Sequence, residues 1–443
     1  MNTIRELAAA LASGRISSLA LVEQMLARID AHIGDGGAAY VSIDRAQALA
    51  DARSSDGARA AGLAASPLAG VPLSVKDLFD VRGQVSAAAS LVLGHAAPAA
   101  QDAPVVARLR AAGAVLLGRS NMSEFAFSGL GLNPHFGTPL NPHDGSRVAG
   151  GSTSGGALTV ALDMAAGALG TDTGGSLRIP AAFCGLTGFK PTAATVPLDA
   201  AVPLSTSLDS AGPIGRSVDC CAILYSVLSA TPLAQAAAPA LAGLRFGVSR
   251  DYVGAGLDDS VRRNFARALH RLREAGATVE EFAFPELLEL PAINGGGGLV
   301  AAEAWAWHRK LLERQGARYD QRVAARIRRG AQQSAADYID LLDARRRMIA
   351  TARQRLAGFD AWLMPSVAIV APPLAPLEAD DAAFFATNGL VLRNTSVINF
   401  LDGCALSLPC QAPGELPVGL GICGLAGQDQ HILAIGRALE ALF

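Results

Sequence analysis

Near the N-terminus, Leu21, Val22, Met25, Leu26 and Ile29 recur at helical spacing and form one apolar stripe. Ser17 or Ser18, just ahead of it, carries the side chain of an N-cap. With the apolar stretch that precedes them, these positions predict two N-terminal helices. From Gly70 the pattern changes to short apolar runs at 71–75 and 114–118, with a helical pattern over 105–112 between them. The alternation resumes at 244–248, a strand candidate. A helix follows, capped by Asp258 or Asp259, with Val261, Phe265, Leu269 and Leu272 on one face. Gly276 stops that helix and Thr278 with Val279 returns to strand. Residues 299–357 read as almost continuous helix, with Ser334 and Asp337 at capping-box spacing. Strands are expected at 362–364, 405–409 and 418–422, and a closing helix over 429–442. Alternating strands and helices predict an α/β fold, a single large α/β/α domain whose central mixed, largely parallel sheet is flanked by helices. No repeat or shift in composition marks an internal boundary.

Composition narrows the function. The chain has 443 residues, a net charge of -2 and 51% hydrophobic residues. No basic field exists to hold nucleic acid. The longest weakly apolar run, 157–170, is too short to span a bilayer and contains Asp163. The N-terminus brings Arg5 and Glu6 at once, unlike a secretory signal. A cytoplasmic protein acting on a small molecule, without membrane or nucleic-acid partner, is the expectation. A homodimer formed through the N-terminal helices stays open. The six cysteines make no CxxC pair and the seven histidines no i, i+4 pair, so neither metal nor cofactor is expected. The cysteines read as buried thiols. Lysine is scarce: only Lys76, Lys190 and Lys310 occur among 37 basic residues. Lysine can lose its proton near neutral pH, and arginine cannot.

Two Gly/Ser boxes stand out, 150–157 (GGSTSGGA) and 170–178 (GTDTGGSLR), with a short helix over about 157–166 and strand-like residues 168–169 between them. They lack the Lys-Ser/Thr of a phosphate loop, the spacing of a nucleophile elbow and a Ser-x-x-Lys pair. Glycines before a serine let successive N–H groups converge on one point. Thr173, Gly174, Gly175 and Ser176 are therefore candidates for an oxyanion hole beside the Ser176 hydroxyl. Lys76 ends an apolar run, where desolvation lowers its basicity. Bringing a lysine from about 10.4 to near 7 takes roughly 4–5 kcal/mol of differential solvation. The competing reading pairs Lys76 with Asp77 or another acid at the surface.

Lys76 precedes Ser152 by 76 positions, and Ser152 precedes Ser176 by 24. With 118–125 (GRSNMSEF), 136–138 (FGT), 180–185 (PAAFCG) and 188–191 (GFKP), these boxes resemble the amidase signature family, strongly over about 66–215 and more weakly to the C-terminus, through Asn399, Gly403 and 417–420 (PVGL). The resemblance implies a Ser-cisSer-Lys triad. Ser176 attacks the carbonyl, and Ser152, after a cis peptide at Gly151, relays its proton to neutral Lys76. It implies that Ser154 hydrogen-bonds within the triad loop; Arg178, two residues after Ser176, reads as bracing its loop through Asp172, with a substrate carboxylate as the alternative. It aligns Phe127, Ser128 and Gly129 with a loop that lines the acyl pocket, where the alternative is a packed turn. Thr153 and Gly156 depart from the commonest residues but stay small. Lys190 is expected to be structural and Lys310 solvated. Arg393 and Asn394 are left between site and surface. The parts implied are N-terminal helices over 1–65, a catalytic core over 66–215 and a substrate-selecting part over 216–443 with a helical insertion at about 299–357. The leading expectation is a stand-alone amidase. The alternatives are the glutaminase subunit of a tRNA-dependent amidotransferase, a non-catalytic binding protein on the same fold, or, as a smaller variation, an ester hydrolase.

Overall fold

A computed structural model describes residues 2–63, 66–233 and 238–443. The helix Ile4–Ala12 opens with a capping box between Thr3 and Glu6, and Ser17 caps the helix Ser18–Gly34 by accepting from Ala20 N. The N-terminal segment holds more than the two helices expected. Strand β1 (Tyr40–Ile43) and a third helix, Arg45–Ala60, follow. Both were hidden for physical reasons. β1 is short and only partly buried, and Arg45–Ala60 buries only Ala48 and Ala52, so neither shows an apolar period. The expected boundary after residue 65 falls beside residues 64–65, outside the described residues.

The remaining strands are β2 (Pro72–Lys76), β3 (Val115–Ser120), β4 (Gly167–Thr171), β5 (Thr187–Lys190), β6 (Ala211–Gly215), β7 (Arg245–Val248), β8 (Thr278–Glu281), β9 (Ala361–Pro365), β10 (Cys404–Pro409) and β11 (Gly419–Gly424). Among the described residues they form one eleven-stranded mixed sheet in the order β1-β3-β2-β4-β6-β5-β10-β11-β9-β7-β8. Parallel pairing holds in two blocks, β3-β2-β4 and β9-β7-β8. Antiparallel pairs join those blocks and attach β1 at the edge. Residues up to 215 build one half of the sheet and residues from 245 the other, and they meet where β5 pairs with β10.

The parallel β2 and β4 matter most for function. They run side by side, so Lys76 at the end of β2 comes next to Thr171 at the end of β4. Sites in open α/β sheets gather at such carboxyl ends. The insertion consists of Gly298–Gln315, Gln321–Arg328 and Ala335–Leu356, the last with the Ser334–Asp337 capping box formed. The long helix Asp381–Phe400 was not visible in the sequence pattern. Its inward face is polar, with Asn388, Asn394, Thr395 and Asn399 all buried. Lys190 is buried and donates to the carbonyls of Pro191 (2.7 Å) and Gly403 (2.6 Å), while Lys310 is exposed. All six cysteines are free and buried. Among the described residues no helix is long and apolar enough to cross a membrane.

Candidate active site

Lys76 is fully buried, and its Nζ lies 2.8 Å from Ser152 Oγ and 2.8 Å from Thr171 Oγ1. Asp77 does not pair with it. That carboxylate holds Arg119 at 3.1 Å and accepts from Ala89 N, which removes the surface-pair reading. Burial pushes Lys76 down to about 7, although the charges of Asp172 and Asp209 pull the other way. Lys76 therefore gives up its proton far more readily than an exposed lysine does.

The Gly151–Ser152 peptide is cis. Three backbone bonds hold this loop: Gly151 N donates to Gly129 O (2.8 Å), Ser123 N to Ser152 O (3.2 Å) and Thr153 N to Ser176 O (3.2 Å). The last joins the two serine boxes. Ser152 Oγ and Ser176 Oγ share no hydrogen bond among the described residues; catalytic hydroxyl contacts often tighten only with substrate in place.

Ser176 follows β4 in a turn organised by Asp172. The Asp172 carboxylate accepts from the N–H groups of Gly175 (2.8 Å) and Leu177 (3.1 Å). It also takes a two-point ion pair from Arg178, Nη2 at 2.9 Å and Nε at 3.1 Å. Burial alone would raise its pKa; Arg178, Lys190 and Asn399 outweigh that and hold it at about 2. Arg178 is thus engaged inside the loop, with a further bond to Asn399 Oδ1 at 2.7 Å. Gly175 has φ +134, and a Cβ there would lie 2.1 Å from Thr395 Oγ1, so the turn requires glycine. The expected donor set needs one correction. The Gly175 N–H is taken by Asp172, whereas those of Thr173, Gly174 and Ser176 have no partner among the described residues.

A cavity of about 260 Å³ opens on Ser176 and is lined by Phe127, Ser128, Thr173 and Gly174, among others. Gly129 does not line it. Its N–H donates to Asn388 Oδ1 at 2.8 Å, and a Cβ on it would meet Leu392 and Ile179, so it is a packed turn. Ser154 also departs from expectation. Its buried hydroxyl, at the first position of the helix Ser154–Ala161, has no hydrogen-bond partner among the described residues. Arg393 lines the cavity, whereas Asn394 is buried and donates to Val253 O and Pro365 O.

Several contributors were not read from the sequence. Thr171 touches Lys76 directly. Asp209 accepts from Thr173 Oγ1 at 2.5 Å and from the N–H groups of Leu204 and Ser205, and burial raises it to about 6. Arg326 reaches the cavity from the helical insertion. Thr171 stood inside a recognised box, and that was its only signal. Asp209 and Arg326 had none, being brought in by topology.

A fold with a lysine–serine–serine cluster at the end of parallel strands defines a class, and the chain belongs to it: the Amidase family model matches residues 20–433. It is 34% identical over 472 residues to a glutamyl-tRNA(Gln) amidotransferase subunit of Roseiflexus castenholzii, covering 99% of this chain and 95% of that one. It is equally 34% identical over 452 residues to 2-amino-5-chloromuconic acid deaminase of Comamonas testosteroni, covering 99% and 96%. A crystal structure of an amidase superposes with a TM-score of 0.90 at 34% identity, covering 99% of both chains.

Proposed function

We propose that this protein is a stand-alone amidase that converts R–CO–NHR′ and water into R–COOH and R′NH2. The observation that carries the reading is the buried Lys76, which makes no ion pair among the described residues and lies 2.8 Å from Ser152 Oγ. Ser176 Oγ attacks the carbonyl carbon as its proton passes to Ser152 and the Ser152 proton passes to Lys76. The oxyanion that forms meets the free N–H groups of Thr173, Gly174 and Ser176. The C–N bond breaks as the proton returns through Ser152 to the leaving nitrogen. Water then cleaves the acyl-Ser176 ester by the same relay in reverse. Asp172, Arg178 and Asn399 hold the turn that presents Ser176.

The relatives include amidotransferase subunits, so a glutaminase is the second reading. Glutamine carries an ammonium group as well as a carboxylate, and a binding site selective for it needs an anion for that ammonium. No Asp or Glu lines the cavity among the described residues, which favours the stand-alone reading. Mass spectrometry after treatment with a fluorophosphonate probe tests the nucleophile: the adduct is expected on Ser176, and a folded, unlabelled protein would count against any hydrolase. Ammonia release from simple amides, by the purified chain alone and without glutamine turnover, separates the two readings.

A further inference from the structure

The cavity at Ser176 is lined by three arginines, Arg326, Arg329 and Arg393, and by no Asp or Glu among the described residues. None of the three makes an ion pair among the described residues; their bonds go to neutral oxygens. Arg326 donates from Nη1 to Phe127 O, and its guanidinium lies over the Phe127 ring with Cζ 4.2 Å from the centroid. Of its five N–H donors only that one has a partner among the described residues. Arg393 gives Nε to Asn394 Oδ1 at 3.0 Å and Nη2 to Val253 O at 3.4 Å, and its Nη1 has no partner among the described residues. Arg329 is exposed and gives Nη2 to Gly295 O at 2.6 Å. Uncompensated positive charge beside an apolar wall is costly unless something negative joins it. Burial and the neighbouring Arg329 together push Arg326 down to about 10, which reflects that missing counter-charge.

We infer that the acyl group of the substrate carries a carboxylate, so that the protein hydrolyses half-amides of small dicarboxylic acids, with Arg326 and Arg393 binding the free carboxylate. The inference rests on the amidase reading for the reaction, but not for the anion site. A planar fork stacked on an aromatic ring presents paired donors in the geometry a carboxylate accepts. The cavity, about 260 Å³, is slightly smaller than typical ligand sites, which run from about 300 Å³ upward, and so suits a compact acid.

The test compares succinamate with 4-methylpentanamide, in which an isopropyl group replaces the carboxylate. The expected ratio of kcat/KM for the two is above about 10, as a charged hydrogen-bonded contact of roughly 1.5–3 kcal/mol, or about 13- to 160-fold, provides. The ratio is expected to fall at least tenfold in Arg326→Gln and in Arg393→Gln, and as a ratio it does not depend on the folded fraction. Calorimetry of succinate binding to the resting protein gives a second readout, with affinity weakened at least tenfold in each variant. Equal turnover of the two amides, or a ratio unmoved in both variants, overturns the anion site and leaves the amidase reading intact. If neither amide is hydrolysed but succinate binds and both variants lose it, the anion site stands and the amidase reading falls. If neither amide reacts and succinate does not bind, both fall.

Discussion

Burial brings Lys76 to about 7 while Asp172 and Asp209 resist, and the sign of that balance has two consequences. The relay works only when Lys76 is neutral, so kcat/KM is expected to fall about tenfold per unit as pH drops below about 7. The unfolded chain holds this proton up to about 10.5 and the folded chain only to about 7. Burying the charged lysine therefore costs stability below about 7, and the cost fades as pH rises to about 10.5. Lys76→Met should raise Tm more at pH 6 than at pH 10; an equal shift at both would mean that burial is not what lowers the pKa. Asp172 is a different case, a buried carboxylate whose removal strands Arg178. Asp172→Ala is expected to cost about 3–5 kcal/mol in urea unfolding, and a loss under about 1 kcal/mol would show that Arg178 finds another partner. Lys76 was legible because a scarce lysine closes an apolar run. Thr171 was not, since a threonine at a strand end looks like any β-former.

Strands β2, β3, β4, β7, β9, β10 and β11 could be placed because buried strands leave apolar runs between turn residues, whereas β8, which is largely exposed, was marked by Gly276 ahead of Thr278 and Val279. The helix Asp381–Phe400 could not, because it spends its inner face on hydrogen bonds. Asn388 holds the 128–129 turn, Thr395 donates to Gly174 O at 2.6 Å, and Asn399 donates to Asp172. That helix sits where a Cβ on Gly175 would intrude. Gly175→Ala is expected to displace the Ser176 turn and lower kcat at least a hundredfold, while urea unfolding still reports a folded protein; near-normal kcat would mean that the turn tolerates a side chain. Within the insertion, Ser334 caps the helix Ala335–Leu356 through its hydroxyl. Ser334→Ala should cost about 1 kcal/mol of stability and leave the pH dependence of kcat/KM unchanged. A shifted profile would connect that cap to the chemistry.

At the scale of the molecule, the catalytic groups come from one half of the sheet, and the insertion and later helices close the cavity above them. The boxes at 150–157 and 170–178 made the proposed chemistry legible because a backbone nest is written in contiguous glycines. Arg326 and Arg393 stand 150 and more positions beyond Ser176, and no local pattern announces that the chain folds them back to it. The reaction was therefore far more legible than the substrate. The central claim is that a neutral Lys76, acting through Ser152, makes Ser176 nucleophilic. The rate of fluorophosphonate labelling at Ser176, followed from about pH 5 to 9, tests this directly. A rise with an inflection near 7 is expected in the wild type, and labelling slowed at least a hundredfold across the range in Lys76→Arg. An Arg variant labelled at the wild-type rate, or one that keeps the same inflection, would contradict it.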